Sequence, residues 1–169
     1  AAPLSDIPYG IKREVGEFVY SIDKFRPRFP LRWQHLRLQR DGKILPLSDD
    51  NIIKAVASHL IHPLYCYNPQ DGISHGSSRN PQYLHWWSVD GFLIVLEKFK
   101  PFGSQDYNYS VFVEFNPNKH LNSPFPALFV KRVQDWIGED YFCWYNTRCD
   151  FTLDIPYSIS DIRLLSRKS

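Results

Sequence analysis

Two apolar runs that carry acidic residues in their interior, with a helical stretch between them, constrain this chain more than any other feature. Glu114 sits within Val111-Phe112-Val113-Glu114-Phe115, and Asp150 and Asp154 flank Phe151-Thr152-Leu153. Strand side chains alternate faces, so Asp150, Thr152 and Asp154 share one face, with Arg148 beside them. A carboxylate is costly to bury unless it is paired or binds a metal. Carboxylates on neighbouring strands therefore point to a divalent-cation site built from Glu114, Asp150 and Asp154. Such hard oxygen donors suit Mg²⁺ or Mn²⁺, which would polarise a phosphate. The plainer reading of the same residues is a row facing solvent from an open sheet.

Between the two runs, Ser123 or Pro124 begins a helix whose apolar face uses Leu128, Phe129, Val133, Trp136 and Ile137, and Gly138 suits its end. A right-handed crossover makes the strands of this β-α-β unit, about 109–155, parallel, with room for another strand between them. The remainder supplies mostly antiparallel strands. Glu17 to Asp23 alternates. Residues 25–33 place Phe25, Phe29, Leu31 and Trp33 on one face and Arg26, Arg28 and Arg32 on the other, although Pro27 and Pro30 demote this run to an edge strand or an extended loop. Ser48, followed by Asp49 and Asp50, opens a helix that ends before Pro63. Residues 66–82 read as a long surface loop, and Asp90-Gly91 as the turn of a hairpin over 86–96. Ser158 and Asp161 have capping-box spacing for a further helix start. The expected fold is α+β: a mixed, mostly antiparallel sheet with helices packed mainly on one face, in a single domain over 1–169 with a flexible arm at 1–14.

Composition narrows function less. A net charge of +2 does not by itself demand nucleic acid, but the basic residues are unevenly spread. Lys12, Arg13, Lys24, Arg26, Arg28, Arg32, Arg37, Arg40 and Lys43 face only Glu14, Glu17, Asp23 and Asp41 over the same stretch. Interleaved with Phe25, Phe29 and Trp33, they suggest a strip that grips a backbone and stacks bases, against the plainer reading of a solvated face over a core of rings. Asn116, Asn118 and Lys119 close the Glu114 strand with turn chemistry that also suits phosphate contact. Arg148 reads as an ion-pair partner of Asp150 or Asp154, or as a phosphate contact. Cys66, Cys143 and Cys149 are an odd set without close pairs, which fits a reducing cytoplasm, and Cys143 and Cys149, without zinc-ligand spacing, read as core thiols. His59 and His62 read as a surface pair. Phosphate-loop and nucleophile-elbow patterns are absent, and no apolar run approaches transmembrane length.

The run Val113-Glu-Phe-Asn-Pro-Asn-Lys119, followed by Thr147-Arg-x-Asp-x-x-x-Asp154 and a Ser/Asp/Ile-rich helix start, resembles the rolling-circle replication initiators of small staphylococcal-type plasmids and their phage and integrative-element relatives. The resemblance spans about residues 108–165. It implies a protein that binds origin DNA, single-stranded or as a hairpin, and nicks it in a metal-dependent reaction. There a tyrosine phenolate attacks the phosphodiester, leaving a 5′-phosphotyrosine and a free 3′-OH. The family's tyrosine lies downstream of the second acidic motif, so the nucleophile is expected outside this chain, which then forms the N-terminal part of the catalytic domain. Tyr109, Tyr145 and Tyr157 are the candidates within it. A second copy of the chain is a further expected partner, and a membrane is not. One alternative is a non-catalytic nucleic-acid-binding or assembly module that keeps the fold. Another is an unrelated metal-dependent nuclease with water as nucleophile.

Overall fold

Alternation along one long strand decides which residues enter the core. Strand β2 (Phe18–Leu31) turns Phe25, Phe29 and Leu31 to one side, where all three are buried. In this computed structural model, which describes residues 13–15, 18–65, 73–89, 91–120 and 123–154, β2 belongs to a seven-stranded sheet. The others are β1 (Arg13–Val15), β5 (Ser74–Gly76), β6 (Tyr83–Val89), β7 (Phe92–Phe99), β8 (Asn108–Glu114) and β9 (Tyr145–Asp154). The order is β1-β2-β8-β7-β6-β5, and β9 pairs with the other edge of β2. Every pairing in this sheet is antiparallel. A separate two-residue hairpin joins β3 (Gln39–Arg40) to β4 (Lys43–Ile44) through Asp41 and Gly42, both at positive φ.

Helices cover one face of the sheet. Ser48 caps α1 (Asp49–Val56), its hydroxyl accepting from the Asn51 N–H at 3.2 Å. The helix does not stop before Pro63. It widens into a π-helical turn (Ala57–Ile61), where the His62 N–H reaches the Ala57 carbonyl, and resumes as α2 (His62–Tyr65). A regular turn would drive the Pro63 ring into the carbonyl four residues back, and the extra residue of the wider turn relieves that clash. α3 (Phe125–Ile137) ends at Gly138, at φ 85°. Ile52, Val56, Leu60 and Leu64 from the first helical segment meet Phe125, Phe129, Val133 and Ile137 from α3 over the sheet's Trp87, Ile94, Val111 and Val113. Leu128 and Trp136 pack at the margin of this core, and Trp136 stacks flat on His59, with centroids 4.9 Å apart.

The fold is α+β, as the sequence pattern implied, with a mostly antiparallel sheet and helices on one face. β8 and β9 do run parallel around α3, with β2 between them. Two expectations change. β2 is one continuous strand rather than a strand followed by an edge loop, and it has neighbours on both edges. Pro27 is accommodated by a bulge: Thr147 is an extra residue on β9, and its hydroxyl donates to the Arg26 carbonyl at 2.9 Å. Pro30 lies beyond the last β9 pairing, at Arg28, where β8 alone flanks β2. The segment after residue 72 contains a short edge strand, β5. The hairpin forms where expected, with Val89 opposite Phe92 and Gly91 at φ 76°. Of the expected arm, residues 13 and 14 belong to strand β1. Residues 1–12 and 66–72, with Cys66, Tyr157, the Ser158 helix start and the Asp154 side chain, lie outside what is described. Cys143 is exposed rather than a core thiol, while Cys149 packs against the core and burial raises its pKa.

Phe29 is fully buried and contacts the rings of Phe129 and Phe142, at 5.7 and 5.9 Å. Phe29→Ala is expected to cost about 3–5 kcal/mol of folding free energy, read by urea denaturation. A loss below about 1 kcal/mol would show that β2 is not the core strand described.

Candidate nucleic-acid interface

The face of the sheet opposite the helices carries Lys24, Arg26, Arg28, Glu97, Glu114, Arg148 and Asp150. Antiparallel register lines them up in rows. Ser74, Ser88, Leu93 and Glu114 pair in sequence across β5, β6, β7 and β8. The row continues through Arg26 on β2, joined to Glu114 by an ion pair, to Arg148 opposite it on β9. The next row runs Gly76, Trp86, Val95, Phe112, Arg28 and Tyr145. Gly76 belongs there because a Cβ would lie 3.1 Å from the Trp86 indole.

Two bulges bring tyrosines onto this face. Leu84 is an extra residue on β6, so Tyr83 stands opposite Glu97 and its ring meets Phe112 edge-on at 5.8 Å. Thr147 does the same on β9 and puts Tyr145 opposite Arg28. Strict period-two alternation would have sent both rings to the other side.

Among the described residues, Lys24, Arg26, Arg28 and Arg148 on this face each have a carboxylate. The Arg26 Nε donates to Glu114 Oε2 at 2.6 Å, and the Lys24 ammonium lies 3.4 Å from Glu114 Oε1. Arg28 pairs with the buried Glu97, which also accepts from the Ser110 hydroxyl at 2.7 Å. Arg148 forms a two-pronged pair with Asp150, Nε to Oδ1 at 2.9 Å and Nη2 to Oδ2 at 2.8 Å. That bond, followed by the nearby positive charges of Arg148, Lys24 and Arg26, holds the Asp150 carboxyl below its usual pKa. Phe112 and Val95 are buried although no helix covers them. The guanidinium of Arg26, 4.9 Å from the Phe112 ring centroid, and that of Arg28, at 6.0 Å, roof the ring.

Among the residues expected to act, Glu114 and Asp150 do share a face, on the strands that flank β2. Each is engaged by cations, and no group of three His, Cys, Asp or Glu side chains that could hold a metal occurs among the described residues. The donor chemistry suits a hard cation, but the arrangement does not form a ligand cage. Arg26, Arg28 and Arg148 are brought together. Arg32 lies past the end of β2, with its guanidinium 5.8 Å from the Tyr141 ring. Asn116 and Asn118 build the turn: Asn116 Oδ1 accepts from the Asn118 N–H at 2.9 Å, and Asn118 Nδ2 donates to the Ile22 carbonyl at 3.0 Å. Lys119 is exposed in the 3₁₀ turn Pro117–His120.

Phe25 and Phe29 are in the core, and Trp33, 58% exposed, lies beyond β2. The rings beside the cations are instead Phe112, Trp86, Tyr83 and Tyr145. Tyr109 shares the helix-covered side with Val111 and Val113, away from Glu114, and burial raises its pKa. Asp23 was not anticipated. It is the extra residue of a bulge on β2 and accepts hydrogen bonds from Ser21 and Thr152. No described helix is long and apolar enough to cross a membrane. Comparison with protein-family models, curated proteins and solved structures finds no match.

Because the folded-state pKa of Asp150 is lowered, the Arg148 pair stabilises the fold above the ordinary value of 3.8 and loses that contribution as pH falls through the lowered one. Carboxyl-carbon NMR is expected to place the Asp150 midpoint below 3.8, and Arg148→Gln to move it upward. An unchanged midpoint in that variant would mean the pair does not persist in solution.

Proposed function

We propose that the open face of the sheet binds single-stranded DNA, in a chain that serves the initiation of rolling-circle replication. The observation that carries the binding is the two adjoining rows that hold Arg26, Arg28 and Arg148 beside Trp86, Phe112 and Tyr145 on a face without helices. Guanidinium groups neutralise phosphates, and rings accept unstacked bases whatever their sequence. The carboxylate partners hold the cations in place beforehand. The replication setting rests on the Glu114–Lys119 and Thr147–Asp154 motifs.

Metal-dependent nicking extends this reading, and the support for it is the shared face of Glu114 and Asp150. Mg²⁺ or Mn²⁺ held there would polarise a scissile phosphate. Loading would require Arg26, Lys24 and Arg148 to give up their carboxylates, and incoming phosphates are suitable new partners for them. Tyr145 is the described candidate nucleophile on this face. A non-catalytic binding module is favoured by a different observation: Glu97, Glu114 and Asp150 on this face each already have a cation.

Lys24 and Arg148 are the more exposed cations, with side chains 37% and 43% accessible. Replacing both with Gln is expected to weaken oligonucleotide binding and to flatten the dependence of log affinity on log salt by roughly 0.7 per lost phosphate contact. An unchanged slope in a folded variant would remove this face as the binding surface.

Incubated with Mn²⁺ and labelled single-stranded origin DNA, the chain is expected to bind without covalent attachment. The partners of Glu114 are Arg26 and Lys24 rather than a phenol, and a phenol with its usual pKa of about 10 needs help to ionise. A protease-sensitive shifted band on a denaturing gel would overturn that expectation, and its loss in Tyr145→Phe would identify the nucleophile.

A further inference from the structure

The open face is not flat. Beside Glu114 it sinks into a cleft of about 500 Å³, within the range of about 300–1,000 Å³ usual for small-molecule sites. Leu93 and Val95 form an apolar floor, and Tyr83, Trp86 and Phe112 supply aromatic walls. Arg26 and Glu114 border it with both donors and a carboxylate acceptor. A second cleft, of about 680 Å³, adjoins the first and shares Ser78 and Tyr83 with it. It contains Lys98, paired with Asp49 at 2.8 Å, and the exposed Lys100, and their ammonium groups lie 4.9 and 5.8 Å from the Tyr107 ring centroid.

We propose that the cleft bounded by Tyr83, Trp86 and Phe112 takes one unstacked base of a single DNA strand, while Lys100 receives an adjoining phosphate. The proposal rests on the single-strand reading of the open face and names the chemistry of one subsite. Three features point to this occupant. Aromatic walls over an aliphatic floor suit the flat faces of a heterocycle. The carboxylate of Glu114 can accept from exocyclic amino or ring N–H groups, and Arg26 can donate to ring nitrogens or carbonyls, so the rim matches a base edge. The neighbouring Lys100 supplies charge complementary to a backbone phosphate, which a free apolar ligand would not use. A base held in this cleft lies against the residue, Glu114, that the sequence motif marks.

The test compares a short oligothymidylate with an abasic deoxyribose-phosphate oligomer of equal length and charge, on the full chain at fixed salt. The wild type is expected to prefer the oligothymidylate. Trp86→Ala and Tyr83→Leu are each expected to lose roughly 5- to 100-fold of that affinity, leaving binding of the abasic oligomer unchanged, and Trp86→Phe should restore most of it. Tyr83→Leu serves if Trp86→Ala does not fold. Equal loss on both oligomers, or no loss on either, overturns the base subsite while salt-dependent binding keeps the parent reading. If neither oligomer binds the wild type, both readings fall.

Discussion

Strand β2 must satisfy hydrogen-bonding partners on both edges while holding two prolines, and the rest of the molecule follows from how it does so. At Val19 and Tyr20 it pairs with β1 and β9, and at Arg28 with β8 and β9. A strand that loses an N–H at Pro27 and Pro30 would be expected at an edge. Here the ladder yields instead of the strand. β9 bulges beside Pro27 and has ended before Pro30, so β2 stays central and its alternation survives. Because it survives, the phenylalanines reach the helices and the arginines reach the open face, between the strands that carry Glu114 and Asp150.

The electrostatics of that face follow from the same rows. A guanidinium beside a carboxylate loses rotamer freedom at folding, so the cations of this face are already oriented in the free chain. The arrangement also limits bulk attraction, in keeping with the formal charge of +2. Selectivity on such a surface arises less from long-range charge than from exchange of partners at contact. Arg26 and Arg28 have a second task as the cover of Phe112. Moving either away from its carboxylate would uncover the ring, so the ion pairs and the cover of Phe112 are coupled.

Much of the fold was legible because period and length carried it. The parity of 109–115 separates Tyr109, Val111 and Val113 from Glu114, and the spacing of 128–137 gave the helix face that α3 presents. The Asp90-Gly91 turn and the Ser48 cap rested on local chemistry and hold, apart from Asp90, which is not described. The misplaced features have physical reasons. Pro27 and Pro30 argued for an edge because a bulge on the partner strand leaves no mark on the proline strand itself. Phe25, Phe29 and Trp33 were grouped as one ring face, but the strand ends at Leu31, and the two phenylalanines that continue its pattern are core residues. The rings that do face the arginines come from three other strands, a tertiary arrangement that no single window contains. The carboxylate pair was visible, while its occupation by Arg26, Lys24 and Arg148 depends on cross-strand register.

The bulges at Leu84 and Thr147 bear on how variation in chains of this kind should be read. Losing a single residue within a regular strand turns every side chain beyond it to the opposite face. At Leu84 the arithmetic reverses: loss of the supernumerary residue restores a regular ladder and leaves Tyr83 in phase with Trp86, whereas loss of Thr147 would keep Tyr145 in phase with Arg148 but set a regular ladder against Pro27. Leu84 is thus a point at which β6 can shorten without rewriting the surface, and a one-residue gap there carries a different meaning from a gap within a regular strand.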